Sequence, residues 1–224
     1  HRLDKPVSGV MVYAKTKNAA AALSKQVAEG KMHKKYLAVL CGKPVDNVEK
    51  YVDYLLKDEK ENTSRIVDMG IKGGKRAELI CRALETKPVE PYGELTLAEI
   101  ELLTGRHHQI RVQMSGHGLP LWGDNRYNPA FQKGDAAMSG SAAERAAETG
   151  GQEQMEKKKR ESGRILLRER RRSGTGRSGR ALRVDVALAA YELAFTHPET
   201  GESMIFQHNP SGGIFRQFQM PGQQ

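Results

Sequence analysis

Cysteine is scarce in this chain: Cys41 and Cys81 are the only two in 224 residues. Two are too few for a disulfide framework, and each sits in an apolar run where a buried free thiol is expected. That usage suits a reducing compartment, so the expected location is the cytoplasm. No stretch approaches the roughly 18 apolar residues that a membrane span needs. The first residues do not resemble a signal peptide, and no membrane partner is expected. An H-E-x-x-H helix and a paired cysteine set are also missing. The adjacent His107 and His108 therefore lack the spacing of metal ligands, and no metal is expected. Positive charge, by contrast, is in excess. A net charge of +9 and a pI near 9.5 favour a polyanionic partner. With 38% hydrophobic residues the chain can bury a core, as one domain or one domain with an appendage.

Hydrophobic patterning divides the chain into short elements. Residues 10–15 read as a strand, and Asn18 is placed to cap a helix through the alanines to Glu29, which Gly30 stops. A second strand follows over 35–41 and ends at the turn Gly42-Lys43-Pro44. Residues 45–74 are charged and weakly patterned, and read as a loop or hairpin excursion at the surface without chemistry. Strands are expected over 76–84 and 94–103; in the second, Leu95 and Leu97 alternate before a change of phase at Ala98, Ile100 and Leu102, which suggests a bulge. A helix is then expected to open at Arg106, with His107 and Arg111 on one face, and to end around Gly116 to Gly118, followed by a turn over 120–124. Residues 184–195 and 203–206 form a closing hairpin around His197-Pro198. The pattern predicts an α+β domain: a mixed, mostly antiparallel sheet with flanking helices.

Residues 132–182 interrupt it. This stretch has 13 Lys and Arg against 7 Asp and Glu, so it holds six of the nine net positive charges. Apolar periodicity is confined to Ile165-Leu166-Leu167, too little for a packed core. The expectation is a low-complexity basic insertion, disordered or partly helical.

Two polar clusters do not look like core. The first is His1-Arg2-Leu3-Asp4, where Asp4 precedes Lys5-Pro6 and so lies in a loop. The second is Thr104-Gly105-Arg106-His107-His108-Gln109-Ile110-Arg111. A carboxylate held ionised by fixed arginines is a nucleophile or general base, and surplus arginine binds phosphate. The bland reading of Asp4 is a solvated turn residue. Tyr36, after Lys34 and Lys35, suits either strand packing or a base-stacking platform beside a phosphate-binding edge. Asp124 and Asn125 suit a surface turn in which each bonds its own backbone.

These motifs, taken in order, resemble the RluA family of RNA pseudouridine synthases. The matching pieces are His1-Arg2-Leu3-Asp4-Lys5-Pro6-Val7-Ser8-Gly9, Lys34-Lys35-Tyr36-Leu37-Ala38 with Gly42, and Leu103 through Val112. Gly118-Leu119-Pro120-Leu121 with Gly123, Asp124 and Tyr127, and the segment 188–195 with His197-Pro198, complete the set. The resemblance implies a cofactor-free isomerisation of selected uridines. Ribosomal RNA is the first candidate substrate and transfer RNA the second, and the enzyme is expected to be monomeric. It implies that Asp4 is the essential aspartate, Tyr36 the tyrosine that stacks on the base and Arg111 the arginine paired with the aspartate, with Arg106 as the competing partner. Arg2 resembles the residue that wedges into the RNA where the uridine leaves. His107, His108 and Gln109 are expected to line the RNA-facing side, with Arg106 on a phosphate. The family's catalytic domain begins before the His-Arg-Leu-Asp motif, so the chain is expected to be an N-terminally truncated fragment. The reading from another class is a non-catalytic RNA-binding protein that keeps the scaffold.

Overall fold

The computed structural model describes residues 2–132 and 184–222. In chain order these form β1 (Ser8–Gly9), α1 (Lys17–Ala28), β2 (His33–Cys41), β3 (Val48–Asp58), β4 (Thr63–Val67), β5 (Lys75–Pro88) and β6 (Glu94–Leu102). Then come α2 (Gln109–Gly116), the single turn α3 (Pro129–Gln132), β7 (Leu188–Thr196), β8 (Ser203–Gln207) and a 3-10 turn over Gly213–Gln217. Beyond Gln132, the basic insertion expected over 132–182 lies outside the described residues, as does His1.

The strands make one sheet in the order β1-β7-β2-β6-β5-β3-β4, with β8 also paired to β7. Every ladder is antiparallel except β1 on β7, which makes the sheet mixed and the fold α+β. Period-two alternation along β2 explains its central place. Tyr36, Ala38 and Leu40 enter one buried cluster, and Leu37 and Val39 enter another. A strand apolar on both faces needs cover on both sides. Ile110 and Met114 of α2 cover the first face. Trp122 and the C-terminal Ile214, Phe215 and Phe218 cover the second. Removing a side chain such as Leu37 or Leu40 from water stabilises the fold by about 1.5–3 kcal/mol.

Several sequence expectations change here. Residues 10–15 are not a strand. The edge of β7 that they would follow is taken by β8 from Glu192 to Thr196, so pairing stops after Val10 N–H reaches Ala190 C=O at 2.9 Å. Thr16, not Asn18, caps α1, its hydroxyl accepting from Ala19 N–H at 3.2 Å. Residues 45–74 are no surface excursion, because β3 pairs with β5 and buries Tyr51 and Leu55. The phase change in β6 is regular alternation on a strand buried on both faces: Leu95 and Leu97 point to one cluster, Ala98 and Ile100 to the other. The irregularity lies across the ladder in β5, between Ala83 and Glu85.

Candidate active site

Asp4 is held by what flanks it. Val7 N–H donates to Asp4 C=O at 2.9 Å and closes a turn around Lys5 and Pro6. Leu3 and Val7 pack against the core beside Tyr36, fixing the turn from both ends. Gly9 then runs so close to β7 that a Cβ there would collide with Ala190 C=O, and its φ of +119° suits glycine alone. The Asp4 side chain is left 29% exposed, open to a ligand yet partly stripped of water.

Arg111, on the first turn of α2, reaches it. Its Nη1 lies 3.8 Å from Asp4 Oδ2. The same guanidinium makes much shorter bonds elsewhere: Nε to Asp124 Oδ2 at 2.8 Å and Nη2 to Asp124 Oδ1 at 2.6 Å. The Arg111 and Asp124 side chains are 4% and 0% exposed, so this is a buried bidentate pair. Asp124 also accepts from the N–H groups of Arg126 and Tyr127 at 2.9 and 3.2 Å. The expected turn is therefore real, but it is a buried clamp and not a surface feature. Gly123 makes it possible, with φ +76° and no room for a Cβ against Asp185 C=O.

The electrostatic balance on Asp4 departs from the sequence expectation. Burial is the largest influence and raises its carboxyl above the ordinary 3.8; Arg111, His107 and Arg2 oppose, while Asp124 adds to the rise. Fixed arginines do not hold it below the usual carboxylate range, because the cost of burial outweighs the pull of Arg111 and Arg2.

His107 and His108 precede the helix. The chain over 106–108 is a turn, with His108 in the left-handed region at φ 53°, so His107 and Arg111 do not share a helical face as the sequence pattern suggested. The two imidazoles stack, with ring centroids 3.7 Å apart. His107 Nδ1 lies 2.9 Å from Ser64 Oγ on β4. His108 Nδ1 lies 2.7 Å from the Tyr127 hydroxyl, which accepts from Ser64 N–H at 2.9 Å. When Tyr127 uses its own proton on Nδ1, His108 carries its proton on Nε2, 3.7 Å from Asp4 Oδ2. Burial, followed by the nearby cations Arg111, His107 and Arg126, pushes His108 down to about 3, so this approach is not an ion pair at neutral pH. His107 is shifted down as well, chiefly by burial.

A test of that environment is available. The folded chain favours the neutral imidazole of His108, whereas the unfolded chain binds a proton near the ordinary 6.5. Stability from this source is complete above pH 6.5 and is lost as pH falls towards about 3. Urea unfolding at pH 7, 6 and 5 should show a decline of at most about 1.4 kcal/mol per pH unit from this one group. In His108→Gln the decline should be shallower; identical slopes in the two proteins would rule out a buried neutral His108.

Tyr36 stands on the same face of β2 as Ala38 and is 7% exposed. Burial, then the charge of Asp4, pushes its hydroxyl up to about 12, so it stays neutral beside the carboxylate. Arg2 and Arg106 lie on the rim, and Arg106 Nε donates to Arg76 C=O at 2.8 Å. Arg106 makes no ion pair with Asp4, which leaves Arg111 as the arginine at the carboxylate. Gln109 lines the cavity as well, but its side-chain amide is engaged inside the protein. It is 3% exposed, and its amide accepts from Thr104 Oγ1 and Arg106 N–H and donates to Glu78 C=O, at 2.8, 2.9 and 3.0 Å. It staples the loop that presents Arg106.

A cavity of about 710 Å³ joins these groups. Arg2, Asp4, Tyr36, Arg106, His108 and Arg111 are among its lining residues. The volume is that of a small-molecule or nucleoside pocket. Sequence reasoning gave no role to Ser64, and read Asp124 only as a turn residue and Tyr127 only as part of a matching motif. Ser64 sits in a segment set aside as surface, and only the fold brings it 43 positions back to His107.

Residues 1–116 match the family model for RNA pseudouridylate synthase. The chain belongs to this family. Among similar proteins, ribosomal large subunit pseudouridine synthase C of Escherichia coli strain K12 is 31% identical over 216 residues, covering 96% of this chain and 53% of that protein. Synthase D of Zymomonas mobilis is 33% identical over 147 residues, 66% of this chain and 44% of that one. This family member thus spans about half the length of the curated relatives it matches. The solved structure of human RNA pseudouridylate synthase domain containing 1 superimposes with a TM-score of 0.60 at 22% identity, covering 94% of this chain and 67% of that one. Domain containing 4 gives 0.58 at 18%, covering 93% and 69%. At these identities the structures bear on the fold alone, and they place the sheet described above in the synthase fold.

Proposed function

We propose that this chain converts uridine in RNA to pseudouridine, with Asp4 as the acting carboxylate. The carrying observation is the convergence of Asp4, Tyr36 and Arg111, from three separate segments, on one cavity of nucleoside size. The reaction breaks the N-glycosidic bond, turns the freed uracil in place and rejoins it through carbon, so it needs neither an oxidant nor water. The ionised Asp4 acts on the sugar, by attack at the anomeric carbon or by removal of the neighbouring proton. Tyr36 stays neutral beside it and presents a ring to the base, and Arg111 orients Asp4. The uridine must leave its stack to enter such a pocket. Arg2 and Arg106 line it and offer cations to the strand, and His107 lies near enough to Asp4 to influence its charge. Large-subunit ribosomal RNA is the first substrate to test, on the names of the similar synthases, and transfer RNA the second. The working state is taken as a cytoplasmic monomer without a cofactor. Among the described residues, no helix is long and apolar enough to cross a membrane.

The test is to incubate the protein with ribosomal and transfer RNA from cells lacking its gene and to map pseudouridines before and after. New pseudouridine at a discrete position supports the reading. RNA binding without it would favour the non-catalytic scaffold. Arg111→Lys should lower turnover at least tenfold, since a point charge cannot keep the bidentate grip on Asp124 while facing Asp4. Arg106→Lys should cost less, and the reverse order would move the pairing role to Arg106.

A further inference from the structure

Lys34 and Lys35 are adjacent on β2 but meet opposite environments. Lys35 faces carboxylates: its Nζ lies 3.4 Å from Glu192 and 3.8 Å from Glu99. Lys34 points to the other face, the one that carries Tyr36, and lines the cavity with Asp4 and Arg106. Its ammonium sits beside Gly105, so close that a Cβ on that glycine would lie 3.4 Å from Nζ. Among the described residues it makes no ion pair or hydrogen bond, although it is only partly exposed. A cation kept partly out of water without an acid is an unmet demand for an anion. The neighbouring backbone helps, since Gly105 has no side chain and leaves the ammonium accessible from the cavity. Arg106 stands next to it, anchored through Nε on Arg76 C=O.

We propose that Lys34 binds a phosphate of the RNA strand adjacent to the nucleotide held over Asp4, with Arg106 beside it on the same rim. This inference rests on the reading that the cavity admits a nucleotide of RNA. Partial burial shifts the Lys34 amine downward, a cost that a bound phosphate would offset. The strand positions the cation rigidly, so its contribution is to place the substrate and not to move a proton.

The experiment compares wild type, Lys34→Gln and Lys35→Gln, using large-subunit ribosomal RNA from cells lacking the gene and measuring RNA affinity against salt concentration. Loss of one phosphate contact on a single strand should flatten the slope of log affinity against log salt by about 0.7. The Lys34→Gln slope should show that change, with KM up roughly tenfold, kcat within twofold and Tm unchanged or higher. Lys35→Gln should keep the wild-type slope, since its charge is already neutralised. In a second arm, short RNAs spanning the mapped uridine carry one neutral methylphosphonate linkage on either side of it. One of these linkages should weaken wild-type binding and leave Lys34→Gln no weaker than on the ordinary RNA. Superimposable slopes for wild type and Lys34→Gln, or additive losses from the variant and both neutral linkages, would overturn the phosphate contact. A fall in Tm with unchanged KM would reassign Lys34 to the fold. If the wild type forms no pseudouridine, the proposed activity fails, and the binding slopes still decide on Lys34.

Discussion

Replacing Asp4 by asparagine should lower pseudouridine formation by roughly a thousandfold or more, because among the described residues no other carboxylate is placed to act on the sugar at this site. The nearest, Asp124, is 0% exposed and committed to Arg111. Asparagine keeps the size of the side chain and its turn, so folding should be preserved. RNA affinity should stay within a few-fold or tighten, since one negative charge near phosphates is removed. Single-turnover mapping together with a filter-binding titration separates the two effects. Undiminished turnover in the variant would sink the assignment.

The second large effect concerns Asp124→Asn. Breaking one half of a buried bidentate pair leaves the Arg111 guanidinium without its counter-charge, a loss of about 3–5 kcal/mol in comparable buried pairs. Urea unfolding should register it. The change also acts on chemistry, in a direction that a purely structural role would not produce. Asp124 raises the Asp4 carboxyl, so removing its charge lets that carboxyl ionise at lower pH. The acid limb of the pH–rate profile should therefore move down in Asp124→Asn, even as the maximum rate falls through poorer placement of Arg111. An acid limb that stays put would mean that Asp124 only supports the fold.

These expectations show which parts of the site a one-dimensional reading reaches. Asp4, Tyr36 and Arg111 were singled out by the resemblance to the synthase family, where the residues alone left a solvated turn and strand packing open, and the fold brings all three to one cavity. Gln109 lines the cavity too, but the motif gave no sign that its amide is engaged inside the protein. Its actual partners, Thr104, Arg106 and Glu78, come from a loop and a strand whose proximity no spacing reveals. Residues 10–15 are a short apolar run that reads as a strand, yet only the competing presence of β8 on the same edge shows why they do not pair. Ser64 was passed over because its segment is charged and weakly periodic, although it joins the imidazole pair to Tyr127.

The sequence by itself determined the α+β class, the presence of an apolar strand over 35–41 and the residue types that meet at the cavity. Periodicity and motif are local properties, written within a few residues of one another. Only the tertiary structure decided the charge state of the site. The arginine expected to hold Asp4 ionised is shared with a buried aspartate 13 positions away in sequence, and the histidine at the carboxylate is neutral. It also separated two adjacent lysines into one neutralised by glutamates and one facing the cavity. Burial and Coulomb interactions depend on distance through the folded molecule, and a linear order of residues does not contain those distances.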